Sequence, residues 1–476
     1  MEDKKETNET KKVPIIGIRR ENKNKWERRL GIIPSDCKKL ADSGVRILIQ
    51  PSEIRCFSDK QFHDFNSKDI IFQEDIEDAN VVVGIKEVPI ENLIANKTFL
   101  FFSHTIKGQS HNMPLLKKLL DLKIRLIDYE CIRDLHPTNS QRLVAFGRYA
   151  GIVGVIDFLQ GVGEFLIHKT IFTPFTHVGY SYMYPSIEDA KENMKRVGEM
   201  IKVKKFPKEI CPFIIGITGN GKVSKGSQEV LDLLPHEYIE PENIKSLFEK
   251  GAKVHHDRVY IVIIEAKHMY RHKEKNDFDK IDFYRNPKSY KSIFAPHFLP
   301  YLSLLVHGMF WNSDSDVIIS KQEAHDYAVN KQFRIFGITD ITCDIGGSVS
   351  LMKKLTTIDK PFYTINPINE EVSHDPFENL CEDSILYHAV DHLPAEFPLD
   401  ASKHFSKNLI TFMKALVESK YPINFEDQTG LPQEIINAEM TCNGKLTPRF
   451  SYLYKELAKV YPEYKDLVVE EKDEKK

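Results

Sequence analysis

Short apolar runs alternate with amphipathic segments along the first third of the chain. The apolar runs predict buried strands, at VPIIGIRR (13–20), VRILIQ (45–50), NVVVGIKE (80–87), TFLFFSH (98–104) and IRLIDYE (124–130). Two segments have the spacing of helices, PSDCKKLADSG (34–44), with Ser35 as N-cap and Gly44 as stop, and NMPLLKKLLDL (112–122). Near-continuous apolar strands alternating with helices are typical of a parallel sheet covered on both faces.

A long apolar segment, from Phe146 to about Thr170, predicts a buried helix that connects two domains. Asp157, Gln160 and Glu164 interrupt it, which argues against a transmembrane helix. Further strands are expected at 213–218, 258–266, 333–342, 361–366 and 384–390, and closing helices at 403–419, 431–439 and 448–461. The pattern predicts an α/β protein of two Rossmann-like domains with parallel sheets and an interdomain cleft.

Charge and cysteine usage narrow the function classes. Lys and Arg total 66 against 69 Asp and Glu among 476 residues, so the net charge of −3 gives no reason to expect nucleic acid or a membrane as partner. Seven scattered cysteines without a CxxC pair argue against a disulfide framework or a structural zinc site. The N-terminal MEDKKETNETKK lacks a signal-peptide core and is too acidic for a transit peptide, so a cytoplasmic location is expected.

A glycine-rich loop, ITGNGKVSKG, places Gly219, Gly221 and Gly226 between a predicted strand and a helix. The spacing is GxGxxxxG rather than GxGxxG, yet glycines at such a turn let backbone N–H groups approach a pyrophosphate at the helix N-terminus. Glu240 ends the short strand HEYIE, at 240 − 219 = 21 positions from the first glycine, where an acid usually binds the ribose hydroxyls. The alternative is an ordinary tight turn between strand and helix.

The glycine-rich loop and Glu240 give opposing indications of whether NAD or NADP binds. The Glu240 carboxylate would repel a 2′-phosphate and favours NAD, whereas Lys222 and Lys225 in the loop could favour NADP. We expect residues 13–146 plus 350–465 to form a discontinuous substrate domain and 147–349 the NAD(P)-binding domain, with disordered tails at 1–12 and 466–476.

Polar side chains follow the predicted strands of the first domain. They are Arg19 and Arg20, Lys86 and Glu87, His104 with Lys107 and Gln109, Asp128 and Glu130, and Arg142 before the connecting helix. The carboxyl ends of parallel strands lie along one edge of a sheet, where ligands of open α/β sheets bind. Each residue alone could be a solvated or hydrogen-bonded surface group, so the functional argument rests on their convergence.

Metal and covalent chemistry are not expected. His255 and His256 are adjacent and would project to opposite sides of a strand, and SHDP (373–376) has no HExxH-like partner. The chain has no GxSxG motif and no Cys–His setting that suggests a covalent intermediate.

Several blocks in order resemble lysine–2-oxoglutarate reductase, the lysine-forming saccharopine dehydrogenase activity in the reductase half of bifunctional α-aminoadipic semialdehyde synthase. The blocks are IGIRRENKNKWERRLGIIP, GIKEVP, FFSHTIKGQ, LIDYE, RLVAFGRYAGIVG, TGNGKVSKGSQ and DHLPAEFPLDAS, which run from about residue 13 to residue 460. A more distant likeness to alanine dehydrogenase and the soluble part of transhydrogenase fits the same two-domain fold.

The resemblance implies that L-lysine and 2-oxoglutarate are joined through an imine, which NAD(P)H reduces to saccharopine. It places the acid–base pair on Lys86 and His104. By proton chemistry, Lys86 can be the base if neighbouring cations and burial lower its pKa, and His104, which titrates near neutrality, can be the acid. The implied substrate positions are Arg19, Glu87, Gln109, Glu130, Arg142 and Phe146. The implied cofactor positions are Gly219, Gly221, Lys222, Val223, Ser224 and Gly226 of the loop, together with Glu240 and Asp344 of DITCDIGG.

Three departures from the family pattern matter. The bifunctional proteins continue into a saccharopine-oxidising domain that this chain lacks, so a monofunctional enzyme or a fragment is expected. Animal relatives are mitochondrial, although no transit peptide is visible here. Those relatives prefer NADPH, which tips the expectation to NADPH despite Glu240. Two alternative functions stay open, an alanine- or opine-type dehydrogenase and a non-catalytic nucleotide-binding homologue. A homo-oligomer is also possible.

Overall fold

The chain folds into two compact units. The computed structural model describes residues 13–136, 140–309, 311–373, 375–378, 380–421, 424–427 and 430–468. Unit 1 is the chain up to Ala145 together with the part from Pro398 onward, and unit 2 is Phe146–Phe397. The tails predicted to be disordered lie outside the described residues, except for Asp466 and Leu467, which belong to a 3-10 helix, Pro462–Leu467, and Val468, which follows it.

The strands are short, and most are buried on both faces. In chain order they are β1 Ile15–Ile18, β2 Arg46–Ile49, β3 Ile70–Phe72, β4 Val81–Val83, β5 Thr98–Phe101, β6 Arg125–Asp128, β7 Ile214–Thr218, β8 His236–Tyr238, β9 Val259–Ile264, β10 Tyr270–His272, β11 Tyr290–Ser292, β12 Leu304–His307, β13 Gly337–Asp340, β14 Phe362–Ile365, β15 Val372–Ser373, β16 Ile385–His388, β17 Glu439–Cys442 and β18 Lys445–Leu446.

The α-helices surround these strands and are joined by shorter 3-10 turns. In chain order they are α1 Pro34–Asp42, α2 Asp59–His63, α3 Met113–Asp121, α4 Gly147–His168, α5 Ile187–Lys204, α6 Lys222–Leu231, α7 Ala266–Met269, α8 Lys280–Arg285, α9 Phe294–Phe298, α10 Lys321–Val329, α11 Pro398–Glu418, α12 Gln433–Ile436 and α13 Leu453–Val460.

Unit 1 contains a sheet in the order β18-β17-β6-β5-β4-β1-β2-β3. Strands β1 to β6 are parallel, and β17 joins β6 in the antiparallel direction. Every residue of β4, β5 and β6 is buried, as expected for strands covered on both faces. The carboxyl ends of β1, β4, β5 and β6 are therefore neighbours along one edge, and the residues that follow them are brought together there.

Unit 2 contains a second sheet in the order β15-β14-β16-β13-β12-β7-β9-β8, which is parallel from β8 to β16. The chain was predicted to return to the first domain at residue 350, but in the structure it stays in unit 2 up to Phe397. Strand β16 pairs with β13, and β14 pairs with β16, so the chain between them still extends the second sheet. The chain enters unit 1 again at Pro398, where α11 begins.

Helix α4 is the long connecting helix that the apolar segment predicts. By length and composition it could cross a membrane, with a mean hydropathy of 1.6, but 78% of its most apolar window is buried inside the protein. Asp157 in its middle is buried, and its carboxylate accepts a hydrogen bond from the Ser181 N–H at 2.7 Å. Burial in the core of unit 2 accounts for the apolar composition of this helix.

Candidate active site

Arg19 directly follows β1 and is buried, with 6% of its surface exposed. Its Nη2 donates a hydrogen bond to Asn22 Oδ1 at 2.8 Å, and its Nη1 lies 3.4 Å from Glu21 Oε1. Nη1 is buried and has no hydrogen-bond partner among the described residues. A buried guanidinium N–H without an acceptor is costly, so this group is suited to bind a carboxylate ligand.

Glu21 ties the end of β1 to the loop after β4. Its carboxylate accepts hydrogen bonds from the backbone N–H groups of Ile85, at 2.8 Å, and Lys86, at 3.1 Å. Burial raises the pKa of Glu21, against the opposing effect of Arg19. The sequence argument did not single out Glu21, because a charge beside a strand end reads as solvated until its burial is known.

Gly84 allows Arg19 to take this place. A Cβ at Gly84 would lie 2.9 Å from Arg19 Cδ and 3.3 Å from Glu21 Oε1. Tyr129, fully buried, donates a hydrogen bond from its hydroxyl to the Gly84 carbonyl at 2.9 Å and fixes the same loop. The loop between β4 and Lys86 is thus held on both sides.

Glu27 and Arg29 form a second buried charge pair, which the sequence argument also missed. Both are almost fully buried, and the Arg29 guanidinium donates two hydrogen bonds to the Glu27 carboxylate, one of them at 2.8 Å. Burial raises the pKa of Glu27, but Arg29 outweighs it and, together with Lys86, leaves the pKa below its ordinary value. Lys86 is half-buried, and its ammonium has no hydrogen bond or ion pair within the described part of the chain. The carboxylate of Glu27 thus acts electrostatically on the Lys86 ammonium.

His104 does not lie on a strand, contrary to the prediction. Strand β5 ends at Phe101, and His104 adopts a left-handed conformation, with φ of 56°, before a 3-10 helix at Thr105–Lys107. This conformation costs a non-glycine residue about 1–2 kcal/mol. Asn112 compensates by donating a side-chain hydrogen bond to the His104 carbonyl at 2.9 Å.

Asp128, at the end of β6, holds the residues on either side of His104. Its Oδ2 accepts hydrogen bonds from the Ser103 N–H, at 3.0 Å, and from the Ser103 hydroxyl. The Ser103 hydroxyl also lies 2.7 Å from the Thr105 hydroxyl. Burial, together with the neighbouring Glu130, raises the pKa of Asp128 to about 7. A buried network of this kind fixes the turn and therefore the position of the imidazole.

The imidazole of His104 lies between two carboxylates and is 36% exposed. Nε2 lies 3.6 Å from Glu87 Oε1, and Nδ1 lies 3.8 Å from Glu130 Oε2. Burial lowers the pKa of His104, and Lys86 acts in the same direction, whereas Glu87 and Glu130 oppose them. A histidine with a pKa below 6.5 is neutral at pH 7 and can accept a proton.

Two cations complete the cluster. Arg142 Nη2 lies 2.9 Å from Glu130 Oε1, and Lys23 Nζ lies 3.4 Å from Glu87 Oε2. Glu87 Oε2 is buried and has no hydrogen-bond partner among the described residues. The predicted residues Arg19, Lys86, Glu87, His104, Glu130 and Arg142 therefore lie along one edge of the sheet of unit 1.

For two further predicted substrate residues, Gln109 and Phe146, a place in the site stays a prediction. The Gln109 side chain is exposed and forms no hydrogen bond within the described part of the chain. Phe146 is buried and is the first residue of unit 2. Arg20 is turned away from the cluster, and its Nη2 pairs with Glu74 at 2.8 Å. Arg20 instead lines a cavity of about 640 Å³ beyond the ends of β1, β2 and β3, with Glu21 shared between cavity and cluster.

The glycine loop of unit 2 has the predicted strand–turn–helix geometry. Strand β7 ends at Thr218, Gly219 has a φ of 78°, and α6 begins at Lys222. No side chain caps the helix N-terminus, and a Cβ at Gly221 would meet no atom within 4 Å. Open space beside uncapped N–H groups fits a pyrophosphate.

Gly226, the third glycine of the motif, packs against another helix. A Cβ at Gly226 would lie 2.0 Å from the Arg148 carbonyl oxygen of α4, and one at Gly151 would lie 2.0 Å from the Val223 carbonyl oxygen of α6. Ser224 is buried and accepts a hydrogen bond from Gln228 Nε2 at 3.0 Å. The second half of the loop motif therefore serves helix packing.

A buried histidine, missed by the sequence argument, links the glycine loop to the segment after Asp344. The Nδ1 of His307 lies 2.9 Å from the hydroxyl of Thr218, the last residue of β7, and its Nε2 lies 2.7 Å from the Ser348 hydroxyl. Burial lowers the pKa of His307, so the ring is neutral. Asp340 and, to a smaller extent, Asp344 act to raise the pKa of this ring against the effect of burial, and the cofactor role of Asp344 stays a prediction.

Known proteins are similar to the first third of the chain in one case and to most of its length in another. Residues 17–153 match the family described as alanine dehydrogenase/PNT, N-terminal domain. The alpha-aminoadipic semialdehyde synthase of Arabidopsis thaliana is 36% identical over 454 residues, which cover 92% of this chain and 41% of the plant protein. The chain is similar to part of alpha-aminoadipic semialdehyde synthase. The resemblance carried by the sequence blocks is thereby confirmed, and the chain spans about two fifths of the length of the plant synthase.

Two further likenesses are weaker. The saccharopine dehydrogenase [NAD(+), L-lysine-forming] of Yarrowia lipolytica is 25% identical over 203 residues, which cover 41% of this chain and 53% of the yeast protein. An L-alanine dehydrogenase structure superimposes with a TM-score of 0.56 at 14% identity, covering 93% of this chain and all of that one. This confirms the predicted α/β fold with two largely parallel sheets. Among the described residues, no group of three or more His, Cys, Asp or Glu side chains could hold a metal ion.

Proposed function

We propose that this chain is an NAD(P)H-dependent oxidoreductase of lysine metabolism, which condenses L-lysine with 2-oxoglutarate and reduces the imine to saccharopine, reversibly. The observation that carries the proposal is the position of the His104 imidazole, with Nε2 3.6 Å from Glu87 Oε1 and Nδ1 3.8 Å from Glu130 Oε2. Homology to alpha-aminoadipic semialdehyde synthase supports the substrate class.

The charges of the cluster suit these substrates. Lysine and 2-oxoglutarate bring three carboxylates and one α-ammonium to the site. Arg19 Nη1 can donate to a carboxylate, and Arg142 can form forked bonds to another. The buried Glu87 Oε2, which lacks a hydrogen-bond donor among the described residues, can accept from the α-ammonium.

The imidazole of His104 would carry the proton during the condensation. The substrate ε-amine has a free pKa of about 10.4 and must lose a proton before it attacks the keto carbon. Neutral His104 can accept that proton and, once charged, return it to the departing hydroxyl of the carbinolamine. Lys86 was the predicted first acceptor, whereas this proposal gives that role to His104, whose imidazole is held 3.6 Å from Glu87 and 3.8 Å from Glu130. The ammonium of Lys86 would then stabilise the oxyanion that forms on the keto oxygen.

Unit 2 would hold the nucleotide. The uncapped N-terminus of α6 and the open space at Gly221 fit its pyrophosphate. A bound reduced nicotinamide supplies the hydride for the imine.

The alternative is an alanine- or opine-type dehydrogenase, which the alanine dehydrogenase-like fold favours. Oxidation of NADH and NADPH should be followed with lysine plus 2-oxoglutarate, with each omitted in turn, and with pyruvate plus ammonia. We expect turnover only when lysine and 2-oxoglutarate are both present. Turnover with pyruvate and ammonia would establish the alternative, and no turnover with any pair would exclude both activities.

A methyl group at Gly84 should weaken substrate binding. In Gly84→Ala the new Cβ would displace Arg19, whose Cδ lies 2.9 Å from that position. We expect the KM for 2-oxoglutarate to rise by about tenfold with a smaller change in kcat, because an aligned charge-assisted hydrogen bond of roughly 1.5 kcal/mol is lost. Initial-rate kinetics at varied 2-oxoglutarate measure this.

Gly17→Ala is the matched control, because its Cβ would meet Ala79 at 3.0 Å in the same sheet without touching Arg19. It should lower stability and leave the KM unchanged. Equal KM values for Gly84→Ala and the unmodified chain would show that Arg19 does not anchor the substrate.

A further inference from the structure

The order of strands in unit 2 changes which acid lies beside the glycine loop. Strand β8, which precedes Glu240, is at the edge of the sheet, and β9 lies between it and β7. Ligand contacts in such sheets come from the ends of strands next to the loop strand. Glu240 follows the strand two positions away, so its spacing of 21 residues, 240 − 219, is not by itself a sign of proximity.

Glu265 occupies the place that the sequence argument gave to Glu240. Strand β9 pairs with β7 up to its last residue, Ile264, and Glu265 follows immediately. The Gly219 N–H donates a hydrogen bond to the Ile264 carbonyl at 2.8 Å. The first glycine of the loop is thus bonded to the residue before Glu265, and the Glu265 side chain is only partly buried.

The surroundings of Glu265 are acidic. The Glu265 N–H donates a hydrogen bond to His268 Nδ1 at 3.0 Å, and His268 Nε2 lies 3.7 Å from Glu242 Oε1. Burial lowers the pKa of His268, with Lys267 acting in the same direction, whereas Glu242, Glu265 and Glu240 all act to raise it. Three carboxylates and one lysine therefore act electrostatically on this imidazole.

Two lysines of α6 do not offset the excess of negative charge at the end of β9. Lys222 and Lys225 are both exposed on the helix that follows the loop, where a pyrophosphate would lie. Their charge favours the phosphates common to both nucleotides, so it gives no preference for the additional 2′-phosphate of NADPH.

We propose that Glu265 selects the nucleotide by binding the adenosine ribose hydroxyls of NADH and repelling the 2′-phosphate of NADPH, so that this chain prefers NADH. The proposal rests on the nucleotide site of the proposed function and reverses the preference for NADPH that the resemblance implies. Glu240 and Glu242 add long-range repulsion, whereas Glu265 makes the contact.

Nucleotide binding without the amino-acid substrates tests the proposal. Dissociation constants of NADH and NADPH are measured by nicotinamide fluorescence for the unmodified chain, Glu265→Gln and Glu240→Gln. We expect the unmodified chain to bind NADH at least about tenfold more tightly, since the carboxylate repels the dianionic 2′-phosphate of NADPH. Glu265→Gln should bring the two constants to within about threefold of each other, because it removes that charge and leaves an amide that can still bond the ribose.

Glu240→Gln is the matched control, with the same loss of charge after the edge strand, and should change the ratio by less than about twofold because Glu240 is exposed and its charge is screened by solvent. Tighter binding of NADPH by the unmodified chain, or a ratio that moves with Glu240→Gln and not with Glu265→Gln, would overturn the assignment. Equal binding of both nucleotides would overturn it and leave the proposed function intact, whereas binding of neither would overturn both.

Discussion

Replacing His104 by glutamine should lower kcat for lysine plus 2-oxoglutarate by about 10²–10⁴-fold, the range that a positioned general acid–base group contributes. Glutamine can keep a polar contact to Glu87 or Glu130, but it cannot accept and return a proton. The dissociation constant of the nucleotide should be unchanged, because the glycine loop belongs to unit 2. Steady-state kinetics and fluorescence binding on the same preparation measure the two effects separately.

The pH profile gives a second readout of His104. Its folded pKa lies below 6.5, so the neutral form predominates above that value and is lost as the pH falls. The kcat/KM should therefore decline on the acidic side, with a midpoint below pH 6.5, and this acidic limb should be missing in His104→Gln. A midpoint above the ordinary histidine pKa would contradict the neutral resting state.

His111→Gln is the matched control for this substitution. His111 is exposed in the 3-10 helix Ser110–Asn112, seven positions after His104, and its side chain forms no hydrogen bond or ion pair with the cluster among the described residues. It should keep full activity. If His104→Gln and Lys86→Met both also keep full activity, the proposed acid–base pair does not exist.

The fold of unit 1 could be predicted because its strands are apolar on both faces and short helices separate them. The connecting helix α4 was equally predictable from its length and composition. Other elements were not. A helix was expected at 431–439, but the helix is only Gln433–Ile436 and Glu439–Cys442 is a strand, since Glu439 pairs with Arg125 of β6 at 2.9 Å inside the core. Such a partner is 314 positions away, and local patterns carry no record of it.

The candidate site, too, depends on contacts that local sequence patterns do not show. Polar residues at strand ends pointed to Arg19, Lys86 and His104, because parallel strands must end along one edge. The side chains that hold them did not stand out, since Glu21 and the Glu27–Arg29 pair lie in a highly charged stretch whose burial only the tertiary structure shows. Strand order is also a tertiary property, so the spacing of Glu240 from the first glycine could not show that β9, and not β8, lies beside the loop strand β7.

Gly226→Val should destabilise the chain more than any other glycine substitution in the loop. The Cβ would lie 2.0 Å from the Arg148 carbonyl oxygen, which is backbone and cannot rotate away. Helices α4 and α6 would have to separate along a contact where Gly151 is equally close to Val223. We expect a loss of about 3 kcal/mol or more in the free energy of unfolding, at the upper end of overpacking effects.

Urea denaturation followed by circular dichroism measures this loss. Gly221→Ala is the control, because a Cβ at Gly221 would meet no atom within 4 Å and the φ of −87° at Gly221 suits any residue. The control should unfold at the same urea concentration as the unmodified chain, and any weakening of nucleotide binding in it would arise from the pyrophosphate site alone. The two glycines of one motif thus separate two functions. If Gly226→Val unfolds with the unmodified chain and only loses nucleotide binding, then Gly226 belongs to the phosphate site after all, and the close packing of α4 on α6 is not what requires a glycine there.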